Sequence, residues 1–103
     1  MIPVTVVAAF SVTPLMVGES VSEYVADAIK IVRSSGLPHS TDSMFTTLEG
    51  EWDEVMDVIK RAVDAVAAKA PRVSTVIKVD VRPDAGPGRM AHKLASLEEK
   101  ITG

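Results

Sequence analysis

The 103-residue sequence predicts an α+β fold with the order β-α-β-β-α-β and an extra C-terminal helix. Three patterns predict this order. Apolar and polar residues alternate over residues 2–12 and 72–82, which is the period of a β-strand. Apolar residues recur every three or four positions over residues 20–35 and 51–69, which is the period of an amphipathic helix. The Ser- and Thr-rich residues 38–49 predict two short strands joined by a tight turn.

Each long strand has one apolar face. This face is formed by Ile2, Val4, Val6, Ala8, Phe10 and Val12 in the first strand and by Val73, Thr75, Ile77, Val79 and Val81 in the last strand. Because side chains alternate between the two faces of a strand, we expect these residues to face the helices. The opposite face mixes Val7, Ala9 and Val76 with polar and charged residues. It is too apolar for an ideal solvent surface, so we expect it to pair with another subunit.

The helices carry signals at their ends. Gly36 and Pro38 end the first helix, and Pro71 ends the second. Acidic residues crowd the start of the second helix, where the helix dipole favours negative charge: Glu51, Asp53 and Glu54. A Pro- and Gly-rich loop then leads to a third helix over residues 89–101. This order is that of ferredoxin-like folds, in which two helices cover one face of a four-stranded antiparallel sheet.

The composition limits the classes of function. A chain of 103 residues is enough for one domain, and a second core would not fit. The apolar runs fall well short of the roughly 20 residues that cross a membrane, so no membrane association is expected. A net charge of −3 without a basic cluster argues against nucleic acid as a partner. The absence of Cys fits a reducing compartment, and the N-terminus lacks the basic residues of a signal peptide, so we expect a cytoplasmic protein.

Four segments of the chain together form a recognisable family pattern. They are SVSEYVADAIKIVRSSGL at 20–37, TTLEGEWDEVMDVIKRA at 46–62, RVSTVIKVDVR at 72–82 and MAHKLASLEEKI at 90–101. In content and order they resemble the small thiamine-binding proteins of the YkoF-like superfamily. The resemblance implies a ferredoxin-like domain that forms dimers or tetramers. It also implies binding of thiamine or its hydroxymethylpyrimidine moiety, without a catalytic step.

One loop departs from the family pattern. Between Pro14 and Gly18 the family has a single apolar residue, whereas this chain has a longer insertion that includes Met16 and Val17. Ligand contacts of this loop are therefore not carried over to this chain.

The segment TTLEGE, residues 46–51, contains the main candidate for ligand binding, Glu49. A carboxylate suits the edge of an aminopyrimidine, which carries an exocyclic amine donor. The alternative is that Glu49 stabilises the N-terminus of the second helix, an effect worth about 0.3–1 kcal/mol. The acids that follow, beginning with Glu51, already serve that helix. We therefore favour ligand contact for Glu49.

Five hydroxyl residues lie at strand ends that the fold would bring close to Glu49: Ser11, Thr46, Thr47, Ser74 and Thr75. By alternation Thr47 shares the face of Glu49, and Thr46 does not. For both Thr residues the alternative is ordinary strand propensity. Thr75 falls on the apolar face of the last strand and could be a core residue.

We find no motif for catalysis or metal binding. His39 and His92 lack a partner at metal-ligand spacing, and Gly86-Pro87-Gly88 lacks the pattern of a phosphate-binding loop. We therefore expect a non-catalytic protein that binds thiamine or hydroxymethylpyrimidine, needs no cofactor, and acts in sequestration, salvage or regulation. Two alternatives stay open. One is a dimeric ferredoxin-like enzyme of the monooxygenase type, and the other is a structural or regulatory oligomerisation module.

Overall fold

A computed structural model describes residues 5–19, 21–83 and 86–103. The elements are β1 (Thr5–Leu15), α1 (Val21–Ser34), β2 (His39–Thr41), β3 (Thr46–Glu51), α2 (Trp52–Ala67), β4 (Arg72–Val81) and α3 (Arg89–Thr102). The predicted order is confirmed, and β1 extends three residues beyond its predicted end at residue 12. Parts of the predicted first strand, first helix and last loop, namely residues 2–4, 20 and 84–85, lie outside the described residues.

The four strands form one antiparallel sheet in the order β2-β3-β1-β4. The central strand β1 pairs with both neighbours, so that Ala8 lies between Leu48 of β3 and Val79 of β4. The predicted tight turn between β2 and β3 is present. It runs from Asp42 to Phe45, because the Asp42 N–H donates to the Phe45 carbonyl at 2.9 Å.

The core lies between the sheet and the two helices α1 and α2. The predicted inward face of β1 is confirmed, since Val6, Ala8 and Phe10 are all buried. The other buried apolar residues come from β3 and the two helices: Ala28, Val32, Leu48, Val55, Val58, Ile59, Ala62 and Val66. On the edge strand β4 the inward face is only partly covered, and Ile77 remains 44% exposed.

The other side of the sheet, which we call the open face, carries the remaining alternate residues. It comprises Val7, Ala9, Ser11 and Thr13 of β1, Thr47 and Glu49 of β3, and Ser74, Val76, Lys78 and Asp80 of β4. Helix α3 is joined to this face by Glu49 and by an ion pair between Lys93 and Asp80. The apolar residues of α3 are largely uncovered, with Leu94, Leu97 and Ile101 between 57% and 68% exposed. The pairing of this face with a second subunit stays a prediction.

Candidate ligand-binding site

Strand β3, which has the sequence TTLEGE, directs alternate side chains to the two sides of the sheet. Thr46 and Leu48 pair with Phe10 and Ala8 of β1 and share their buried, helix-covered face. Thr47 and Glu49 therefore lie together on the open face, as the alternation indicates. Thr47 also pairs with Ser40 of β2, which places a second hydroxyl on the same side.

Glu49 is buried and holds the N-terminus of α3. Its side chain lies on the open face, yet the residue is only 3% exposed. One carboxylate oxygen, Oε2, accepts a hydrogen bond from the Gly88 N–H at 2.7 Å, and Oε1 accepts one from the Met90 N–H at 2.8 Å. Both donors belong to the first turn of α3, whose N–H groups have no partner within the helix. The negative charge also lies at the positive end of the helix dipole.

The acid two residues later serves the other helix. Glu51 is the N-cap of α2, and its Oε2 accepts hydrogen bonds from the Asp53 and Glu54 N–H groups at 3.1 and 3.3 Å. The sequence therefore correctly indicates that the acids after Gly50 serve α2 and that Glu49 does not. The cap that Glu49 forms on α3 has no local sequence signal, because its partners lie 39 and 41 residues away.

A cavity of about 450 Å³, which we call the helix-three cavity, opens beside the Glu49 carboxylate. It lies between the β2–β3 edge of the sheet and the first turns of α3. Its lining is Pro38, His39, Ser40, Glu49, Gly88, Met90, Ala91 and Leu94. Its volume falls within the roughly 300–1,000 Å³ that is usual for small-molecule pockets. One buried carboxylate and one hydroxyl thus border a surface that is otherwise mostly apolar.

His39 and Ser40 are contributors to this cavity that the sequence does not single out. The His39 side chain lies within hydrogen-bonding distance of the Leu37 carbonyl, with 2.9 Å between Nδ1 and the oxygen. Both residues belong to the three-residue strand β2. The pairing of Ser40 with Thr47 directs the Ser40 side chain to the open face, whereas His39 pairs with Leu48 and directs its side chain to the other side of the sheet. A single sequence does not give this strand register.

The other predicted hydroxyls do not gather around Glu49. Ser11 and Thr46 line a second cavity of about 190 Å³ beside the β2–β3 turn, which we call the hairpin cavity. Thr46 is 5% exposed, and its hydroxyl lies 3.2 Å from that of Thr41. Thr47 lies on the open face beside Glu49, although it does not line the helix-three cavity.

Ser74 and Thr75 lie on opposite sides of β4. Ser74 pairs with Thr13 and is exposed on the open face, whereas Thr75 pairs with Val12 on the helix-covered face. The buried Thr75 Oγ1 has no hydrogen-bond partner among the described residues. Neither residue lines the helix-three cavity or the hairpin cavity.

Within residues 5–19, 21–83 and 86–103, no three His, Asp or Glu side chains are grouped in a way that could hold a metal ion. In the same part of the chain, none of the helices has the length and apolar character required to cross a bilayer.

Comparison with known proteins identifies the family. The family described as "Thiamine-binding protein" matches residues 8–98. The chain belongs to this family. The match spans β1 through most of α3, including Glu49 and both of its helix partners, and it confirms the resemblance seen in the sequence.

Relatives and solved structures match most of the chain. A UPF0045 protein of Mycobacterium bovis is 59% identical over 98 residues, which cover 94% of this chain and 95% of the relative. The crystal structure of a hypothetical protein from Methanocaldococcus jannaschii has a TM-score of 0.84 at 37% identity and covers 92% of this chain and 97% of its own. A Thermotoga maritima protein, whose name proposes a role in thiamine biosynthesis or salvage, has a TM-score of 0.75 at 23% identity. It covers 87% of this chain and 98% of its own, and it supports the fold.

Proposed function

We propose that this protein binds thiamine or its hydroxymethylpyrimidine moiety in the helix-three cavity, without converting it chemically. The observation that carries the proposal is the buried Glu49 carboxylate, which borders a cavity of about 450 Å³ in a chain of the thiamine-binding family. Sequestration, salvage and regulation of the vitamin are the roles that fit a binding protein without turnover.

The acceptor capacity of Glu49 supports this assignment. An ionised carboxylate offers about four acceptor positions, and two are taken by the Gly88 and Met90 N–H groups. The remaining positions can accept from the exocyclic amine of an aminopyrimidine. Burial of a carboxylate is costly unless it is well compensated, so a ligand that brings further donors or a positive charge is favoured at this position.

The rest of the lining matches the other parts of such a ligand. Pro38, Met90 and Leu94 provide apolar contacts for the faces of a planar ring. Ser40 provides a hydroxyl for a ring nitrogen or a hydroxymethyl group. We assign no catalytic role, because the Glu49 oxygens are held by two backbone donors and serve to position a ligand.

Isothermal titration calorimetry with hydroxymethylpyrimidine and with thiamine tests the proposal. Glu49→Gln keeps the size of the side chain and removes its charge, and we expect about tenfold weaker binding, equivalent to about 1.4 kcal/mol. Glu51→Gln is the matched control, since Glu51 lies on the same strand two residues away and caps α2. The Glu51→Gln variant should bind both compounds with the affinity of the wild type.

A second pair of variants keeps the test valid if Glu49→Gln loosens α3. Leu94 lines the cavity and is 67% exposed, whereas Leu97 on the same helix is 57% exposed and does not line it. Leu94→Ala should weaken ligand binding, and Leu97→Ala should leave it unchanged. Unaltered affinity in both Glu49→Gln and Leu94→Ala would contradict the site.

We also propose that a second copy of the chain covers the open face and α3. The exposed α3 residues Leu94, Leu97 and Ile101, together with Val76 at 55% exposure, support this assembly. Light scattering should show a dimer or a tetramer, and Leu97→Glu should shift the protein toward the monomer. A wild-type monomer would contradict the assembly and leave the ligand proposal standing.

A ligand screen separates the alternative functions. The cytoplasmic location stays a prediction. In a thermal-shift screen, at least one compound among thiamine, its phosphates and hydroxymethylpyrimidine should raise the melting temperature of the protein, because ligand binding stabilises the folded state. A flat response to all of them would favour a structural or regulatory module. Turnover of a quinol-like aromatic compound would favour the monooxygenase-type enzyme.

A further inference from the structure

The hairpin cavity lies on the opposite side of strand β3 from the helix-three cavity and has a different chemistry. Its apolar wall includes Phe10, Val25 and Ile29, and its polar groups include the hydroxyls of Thr41 and Thr46. Phe45 in the β2–β3 turn also lines it and is 37% exposed, which leaves an aromatic side chain at the rim. An apolar wall with an aromatic rim and hydroxyl groups suits a planar heterocycle.

Asp42 gives the hairpin cavity a fixed negative charge. Its Oδ1 accepts hydrogen bonds from the Met44 and Phe45 N–H groups at 2.8 and 2.9 Å, which holds the side chain in the turn. Those same bonds, first from Phe45 and then from Met44, lower the pKa of Asp42 below its ordinary value. The carboxylate is therefore ionised at neutral pH, and its other oxygen accepts no hydrogen bond from the described residues.

A groove along α1 continues from this cavity and carries the opposite charge. The groove has a volume of about 370 Å³ and shares Val25, Ile29 and Thr41 with the hairpin cavity. Lys30 and Arg33 line its other part. At a rise of about 1.5 Å per residue, the helix places Arg33 roughly 12 Å along α1 from Val25. The combined site is thus negative at the turn, apolar in the middle and positive at the far end.

We propose that the hairpin cavity and the α1 groove together form a second ligand site, for a phosphorylated heterocycle that carries an amine. The amine end lies at Asp42, the ring packs between Ile29 and Phe45, and the phosphate lies at Lys30 and Arg33. Arginine suits this last role because its guanidinium can donate two parallel hydrogen bonds to one phosphate. This site is separate from the helix-three cavity and contains no residue of that cavity.

Calorimetric titration with thiamine monophosphate, compared with unphosphorylated thiamine, tests the second site. The wild type should bind the monophosphate at one site more than thiamine, and the double variant Lys30→Gln/Arg33→Gln should weaken this additional binding at least about tenfold and leave the affinity for thiamine unchanged. Lys60→Gln/Arg61→Gln is the matched charge control, because both residues lie on the exposed surface of α2, paired with Asp64 and Asp57. It should behave as the wild type toward both compounds.

Asp42→Asn provides an independent check at the other end of the site. The amide oxygen of Asn can still accept the two N–H bonds of the turn, while the charge is removed, so the monophosphate should bind more weakly. Equal monophosphate affinity in the wild type, the double variant and Asp42→Asn would overturn the second site. Loss of monophosphate binding in Glu49→Gln alone would place that compound in the helix-three cavity and would also overturn it. Monophosphate binding that depends on Arg33, without any binding of thiamine or hydroxymethylpyrimidine, would support the second site and contradict the proposed function.

Discussion

Glu49 and Glu51 lie two residues apart on β3 and cap two different helices. Glu51 caps α2, which begins at the next residue, through hydrogen bonds of 3.1 and 3.3 Å. Glu49 caps α3, which begins 40 residues later at Arg89, through bonds of 2.7 and 2.8 Å. Glu51 is half-buried, whereas Glu49 is 3% exposed and borders a cavity.

This difference separates a local cap from a tertiary one. The Glu51 cap needs only the conformation of its own segment, so it forms whenever α2 forms. The Glu49 cap requires the whole sheet and α3 to be in place, and it joins α3 to the open face. We infer that replacing Glu49 costs more free energy than replacing Glu51, and that it loosens α3, whereas replacing Glu51 affects α2.

The largest expected effect is that of Glu49→Gln on the docking of α3. The amide retains one acceptor and places an NH₂ group against a backbone N–H. Hydrogen bonds to charged groups contribute roughly 1.5–3 kcal/mol, so we expect the docking of α3 to weaken by about 2 kcal/mol. Native-state hydrogen exchange at the Gly88 and Met90 amides should show about 30-fold less protection. Unchanged protection would show that Glu49 does not hold the helix.

Gly50, between the two acids, should tolerate no side chain. A Cβ atom at this position would lie 3.2 Å from both Leu37 Cδ2 and Val55 Cγ2, and Val55 is fully buried. Because overpacking of a core usually costs about 1–3 kcal/mol, we expect Gly50→Ala to lower the free energy of unfolding by about 1.5 kcal/mol. Urea denaturation measures this change. Gly86→Ala is the control, since a Cβ atom there meets nothing within 4 Å.

Gly88 donates one of the two hydrogen bonds to Glu49, and its replacement by Ala should have the third-largest effect. It is the N-cap of α3, with a φ of 89°, in the left-handed region that L-residues avoid. A Cβ atom there would meet no neighbour within 4 Å, so the effect of Gly88→Ala comes from backbone strain alone. We expect a cost of about 1 kcal/mol to α3, visible as lower exchange protection of the helix. Protection equal to that of the wild type would mean that this conformation is not required.

Glu51→Gln should have the smallest effect. Its longer hydrogen bonds and greater exposure reduce the contribution of the charge, and the amide oxygen can still accept. We expect a loss of about 0.5 kcal/mol in the free energy of unfolding, within the range of exposed helix-dipole interactions. Urea denaturation of this variant, compared with Glu49→Gln, shows whether the two caps differ as proposed. A larger loss for Glu51→Gln would reverse the comparison.

The sequence predicts the fold well because two signals are local in the chain: the spacing of apolar residues, and the residues at which helices begin and end. The buried face of β1, the two long helices and the alternation of Thr47 and Glu49 all follow from spacing along the chain. The sequence does not predict which cavities the candidate residues reach. Ser11 and Thr46 lie at one end of the sheet and Glu49 lies under α3, because strand register and the position of the last helix decide those contacts.

Unknown strand register also explains why the sequence does not single out His39 and Ser40. His39 and Ser40 belong to a strand of only three residues, which is too short to give a period. Thr75 differs, because alternation within the last strand already places it on the apolar face, and its pairing with Val12 shows that this face is the helix-covered one.

An NMR titration of the wild-type protein with hydroxymethylpyrimidine tests the central claim most directly. The Gly88 and Met90 amides donate to the Glu49 carboxylate, so a ligand that binds this carboxylate must change their environment. We predict that these two amide signals, with that of Ser40, shift most as ligand is added. Saturable shifts confined to residues 41–46, or no saturable shift anywhere in the spectrum, would contradict binding at Glu49.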